Sequence, residues 1–254
     1  ASTVEIEAGA IIDFFNEAGY IVSGGVTNNG TMIFSNTGVI NTHNLTGNVT
    51  NNGTINWTGG NMTGSSAIIT NTGTGTIELS SLNSFSDIAL VNNSGGQILA
   101  NYAGTINFAG SLINESGGNV AVSDTTFFKM LDSLSNEGTI DVAGTLRLEN
   151  GNYKMEGAGI TGTGLFQFDG NMDVYSDNGF TLGVDTILHS SGTITSAPGT
   201  TMTVGNSSTF VSENNVIQNI QVINNGQFDI IRSAPNGFFV HIFEQDFTNN
   251  GTLT

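Results

Sequence analysis

The chain predicts an all-β solenoid, a parallel β-helix, and three observations lead there: a short Asn-Gly phrase that returns about every 22 residues, strand-like alternation between the phrases, and no convincing helical periodicity. The phrase reads Val26-Thr27-Asn28-Asn29-Gly30, Val49-Thr50-Asn51-Asn52-Gly53, Ile69-Thr70-Asn71-Thr72-Gly73, Val91-Asn92-Asn93-Ser94-Gly95, Ile113-Asn114-Glu115-Ser116-Gly117 and Ser135-Asn136-Glu137-Gly138. From Gly30 to Gly53, Gly73, Gly95, Gly117 and Gly138 the steps are 23, 20, 22, 22 and 21 residues. A unit of that size cannot bury a core alone, so neighbouring units must stack on one another.

The elements follow in order. Residues 1–25 depart from the pattern and are expected to form an N-terminal cap. Residues 26–138 are the regular coils. Their strands are Thr31-Met32-Ile33-Phe34, Thr54-Ile55-Asn56-Trp57, Thr76-Ile77-Glu78-Leu79 and Thr139-Ile140-Asp141-Val142, each alternating with period two and bounded by Gly and Asn. Stacked coils should place equivalent apolar residues in inward ladders, with Ile33, Ile55, Ile77 and Ile98 as one of them, and Trp57 facing inward beside Ile55. Asn and Gly supply the left-handed turn conformations, and Asn side chains can hydrogen-bond from coil to coil. Looser phrases at Gly164, Gly192, Gly226 and Gly251 lengthen the steps to 26, 28, 34 and 25 residues, so 139–254 is expected to carry wider coils with insertions. Phe127 to Leu134 is faintly amphipathic but stands where the repeat requires a strand. The whole chain, 1–254, reads as a single β-helical body.

Composition excludes several functions. A formal charge of −17 repels a nucleic-acid phosphate backbone and disfavours anionic membranes. With no cysteine there are no disulfides and no thiol chemistry. No apolar run reaches the roughly 18 residues that membrane insertion requires. Only 10% of the residues are charged while 37% are hydrophobic, which marks a chain that folds rather than a disordered acidic tail.

The NNGTI and NTGTI phrases, running from about Val26 to Thr254, resemble the repeats of bacterial filamentous-haemagglutinin-like adhesins and autotransporter passengers. The resemblance implies a right-handed β-helix, a secreted or cell-surface location, and structural or adhesive work. Neither enzymatic activity nor a cofactor is expected, and a glycan or another cell-surface ligand is an expected partner.

Candidate chemistry is sparse. Asp169, Asn171, Asp173 and Asp177 place oxygens at spacings resembling positions 1, 3, 5 and 9 of a calcium loop, although Val174 and Phe180 stand where such a loop has Gly and a bidentate Glu. A plain Asp/Asn-rich turn between strands at Leu165 to Phe168 and Met172 to Tyr175 is the competing reading. Polysaccharide lyases and hydrolases share the β-helical fold and need converging acids, but Asp124, Asp132, Asp141, Asp169, Asp173, Asp177 and Asp229 show no pairing in their spacing. That enzyme and a calcium-dependent glycan-binding module are the alternatives to a structural rod. His43, His189 and His241 are isolated and read as turn or surface residues. Trp57, Tyr102, Tyr153 and Tyr175 can stack on sugar rings only if exposed. The many Asn-X-Ser/Thr triplets, among them Asn29 and Asn52, are better explained as turn ladders than as glycosylation sites. The last residues, Phe247 to Thr254, stop within a new strand, so self-association or pairing with further repeats through the end coils is expected.

Overall fold

The computed structural model describes residues 3–15, 21–35, 42–81, 84–156, 159–213, 216–231 and 241–254. It is a parallel β-solenoid, and every described strand pairing is parallel. Each coil contributes one strand to each of three faces. The first face runs through Val4–Ile6, Val26–Asn28 and Val49–Asn51. The second follows the Asn-Gly turn, through Ile11–Phe15, Thr31–Ser35 and Thr54–Trp57. The third runs through Ile21–Val22 and Thr42–Leu45 into Asn61–Asn71. In the middle of the rod the corners straighten: Ile160–Tyr175 and Phe180–Ser196 each cross all three faces as one strand with register shifts at the bends.

Inward columns run the length of the stack. On the second face Ile12, Met32, Ile55, Ile77, Ile98, Val120, Ile140, Ile160, Leu182 and Val204 lie over one another in register. At about 4.8 Å per layer the described stack is roughly 50 Å long. The expected ladder is therefore right at Ile55, Ile77 and Ile98 and wrong at Ile33. Met32 is the fully buried member, whereas Ile33 pairs with Asn56 on the outer surface. Three apolar residues in a row, Met32-Ile33-Phe34, hide the alternation. Counting from the turn resolves it, because Met32 and Ile55 each stand four residues after a buried Asn.

That Asn is the second axial element. Asn28, Asn51, Asn71, Asn92, Asn114 and Asn136 are all buried at the corner between the first and second faces. Each of the first five amides donates to the side-chain oxygen of the next layer, at 2.7, 2.8, 2.8, 2.8 and 2.7 Å, and Asn136, the last, donates to the carbonyl of Gly138. Asn51, Asn71 and Asn92 also donate to a carbonyl of their own turn and to one of the layer beyond. Both amide hydrogens and the carbonyl are thus used, which a fully buried Asn requires. Outside it, Asn52 donates to Asn29 at 2.8 Å and accepts from Thr72 at 2.7 Å.

The later phrases occupy other corners. Gly164 packs on Gly144 between the second and third faces, and so does Gly251 on Gly226, whereas Gly192 packs on Gly170 between the third and first. The long glycine-to-glycine steps measure distances between different corners. In strand register, Ile140, Ile160, Leu182, Val204, Asn224 and Asn249 follow at 20, 22, 22, 20 and 25 residues, so only the last coil is distinctly longer. The described part of 1–25 is the first layer of the same stack, paired Val4 to Val26 and Ile12 to Met32. Phe127 to Leu134 falls on the strands Thr126–Met130 and Ser133–Asn136.

Two measurements follow. Met32→Asp buries an unpaired charge and should cost several kcal/mol, while Ile33→Asp should cost less than about 1 kcal/mol; thermal unfolding followed by circular dichroism compares them, and equal losses would refute the register. Asn92→Ala strands a donor on Asn71 and an acceptor on Asn114 and should cost about 2–5 kcal/mol, read as a lowered denaturant midpoint.

Candidate functional site

The strand Ile160–Tyr175 carries the residues that sequence reasoning singled out. Met172 and Val174 point into the core, so Asn171, Asp173 and Tyr175 point outward from the first face. Asp169 lies on the other side of the bend at Gly170, on the third face. This bend is one of a column of left-handed residues at the corner between the third and first faces, with Asp87 at φ 57°, Asn150 at 37°, Gly170 at 92° and Gly192 at 85°. The expected turn between two strands is thus a bend within a continuous one.

The four proposed calcium ligands are spread along the backbone. Alternate residues of a strand are about 6.6–6.8 Å apart, so Asn171 and Asp173 are strung along the strand, while Asp177 lies in the bend beyond its end at Tyr175. Asp169 is engaged elsewhere: it pairs with Arg147 and accepts from the Ser190 hydroxyl at 3.1 Å. Arg147 also meets Glu149 at 2.7 Å, and Glu149 meets Lys129 at 2.9 Å. These partners sit on successive coils and tie three layers of the third face together. Asn171 is fixed by accepting from the Thr193 backbone at 3.0 Å, and its own N–H donates to Asn150 Oδ1. Among the described residues no three His, Asp or Glu side chains are grouped closely enough to hold a metal ion.

Asp177 leads to a residue that sequence reasoning missed. Glu156 is nearly buried at the corner where the Asn ladder has ended, and its carboxylate accepts from Asp177 N at 2.6 Å and Ser176 Oγ at 3.1 Å. Burial opposes its ionisation. The hydrogen bonds from Asp177 and Ser176, with the charge of Lys154, outweigh that and hold its pKa below the ordinary 4.5. Nothing in the local sequence marks Glu156, because its partners come from the next coil. Lys154 donates to Glu137 at 3.0 Å, and that bond is the main reason its pKa is raised.

The histidines are a correction. His43 and His189 are buried rather than at the surface, in columns with Met62 and Phe168. Burial lowers the pKa of His43. The signal was the alternation that places His43 with Leu45 and His189 with Ile187. The His241 side chain lies outside the described residues. Of the aromatics, Trp57 and Tyr153 are core residues. Burial pushes the Tyr153 phenol upward, and its hydroxyl donates to Glu149 O at 3.0 Å. Tyr102 is half-buried, while Tyr175 is 41% exposed.

The remaining acids are dispersed. Asp141 is on the second face opposite Ala121, Asp124 is in the turn between Asn119–Val122 and Thr126–Met130, Asp132 lines a groove with Ser66 and Asp87, and Asp229 accepts from Thr254 and Gln227. Comparison with known proteins found no matching family model, curated protein or solved structure.

Glu156 gives a pH test. A carboxylate whose pKa is lower in the folded state adds stability above its ordinary pKa, and that stability is lost as pH falls through the folded value. Denaturant midpoints of the natural chain should fall on acidification below about pH 4.5. Glu156→Gln should be less stable at pH 7 and show a shallower acid slope, and parallel curves would remove Glu156 as a contributor.

Proposed function

We propose that the chain is a non-enzymatic extracellular rod, a structural or adhesive element of a secreted or cell-surface protein. The observation that supports this is the asparagine ladder. Six buried amides in series, with ion pairs crossing layers on the third face, direct the chain's polar groups toward holding coil on coil. Such a body transmits position and resists bending, which suits display of a surface at a distance. The NNGTI phrases, like those of filamentous adhesins, support the same reading.

Self-association belongs to the same proposal. The first layer exposes Val4, Ile11 and Phe15, and the last exposes Ile242 and Leu253. These edges pair with further coils of a longer chain or with another copy end to end.

Antibody labelling of intact source cells tests the location. Labelling without permeabilisation is expected, together with loss of the epitope on protease treatment of whole cells; signal confined to lysed cells would overturn the reading.

A further inference from the structure

Among the described residues, six of the eight exposed large apolar side chains lie near the two ends of the stack. Val4, Ile11 and Phe15 belong to the first layer, and Ile231, Ile242 and Leu253 to the last two. Within the body of the rod the described residues expose Ile68 and Tyr175, and Tyr175 is the aromatic one. Leaving that ring in water in a flat sheet wins no burial for the fold. Its surroundings are polar: Lys154 is its register partner on the preceding coil, Asn152 is opposite Asp173, and Thr195 follows Asp173 on the next coil. A shallow groove of about 240 Å³ opens further along the same face and is lined by Gly151, Asn152, Asn171, Met172, Asp173 and Thr195; Tyr175 is not part of its lining and stands two residues beyond Asp173 on the strand.

We propose that this patch binds a neutral hexose glycan, with a sugar ring stacked on Tyr175 and its hydroxyls held by Asp173, Asn152 and Asn171. An aromatic ring covers the apolar C–H face of a pyranose, and carboxylate and amide groups match its hydroxyls, each both donor and acceptor. The spacing suits a ligand larger than one group: Asp173 lies about 6.6–6.8 Å from Tyr175 along the strand, and Asn152 one layer, about 4.8 Å, across. Asn171 is pre-oriented, because its oxygen accepts from Thr193 N and its Nδ2 is left for a ligand. Charge selects a neutral glycan. The chain carries −17 overall, and the nearest cation, Lys154, is committed to Glu137, so an acidic polysaccharide meets net repulsion.

The inference deepens the adhesive reading and rests on it for its biological meaning. Its test is titration of the whole chain with cellopentaose, maltopentaose and mannopentaose, by calorimetry and saturation-transfer NMR, with and without EDTA. At least one pentasaccharide should bind in both buffers. Tyr175→Ala should weaken binding about tenfold or more, Tyr175→Phe should stay within about threefold, and Asp173→Ala should fall between them. Circular dichroism verifies that each variant is folded. No binding by any of the three sugars, binding indifferent to Tyr175→Ala, or binding lost in EDTA would each overturn the proposal. Cell adhesion by the natural chain and by Tyr175→Ala separates the two readings: equal adhesion by both retains the adhesive reading and removes this site, whereas no adhesion by the natural chain removes the adhesive reading itself.

Discussion

The structure depends on parallel pairing between successive coils, held in register by amides that each hydrogen-bond to the one above. A single coil of about 22 residues has almost no interior, so its apolar residues are buried only when another coil covers them. Register decides which residues those are, since a slip of one position turns every inward side chain outward. The buried Asn column works against such a slip. An Asn displaced by one layer position would leave its own donor, and its neighbour's acceptor, without partners in a site that water does not reach.

Only nearest layers need to agree, and the chain exploits this. The Asn column begins above Ile6 and gives way to Met155 after Asn136. Polar work at that corner then passes to Glu156 and to Ser176, whose N–H donates to Thr200. A second pair, Asn224 and Asn249, takes up the same 2.7 Å bond at a different corner. The aromatic spine changes face in the same way. Phe14, Phe34 and Trp57 stack on the second face, with centroids 5.0 and 4.3 Å apart, and Trp57 passes the contact to Phe85 and Phe108 on the third. Local interchange of residue type, with the layer spacing kept, is what a one-dimensional fold permits and a globular core does not.

The outer surface follows from the same economy of charge. Two of the four basic residues, Lys129 and Arg147, bind acids of neighbouring coils, and Lys154 is held by Glu137. What remains outward is mostly Thr, Ser, Asn and Asp, against which an exposed tyrosine in the middle of the rod stands out.

The sequence by itself determined the fold class, the coil length, the turn positions and the inward side of Trp57, because period and alternation are local properties of a chain. The Asn-to-Asn bonds were also legible, since buried turns rich in Asn and stacked at a fixed period have few other partners. Which of Met32 and Ile33 faces inward was legible only by counting from the turn, and the alternation around His43 and His189 was present but outweighed by the expectation that histidine lies at the surface. The corner occupied by each later glycine phrase was decided by tertiary structure, because Gly164, Gly192 and Gly226 look alike in sequence and differ only in which coil lies beneath them. The same holds for the binding of Asp177 and Ser176 by Glu156 and for the pairing of Asp169 with Arg147: each joins residues about 20 apart along the chain, and only the stacking of one coil on the next brings them together.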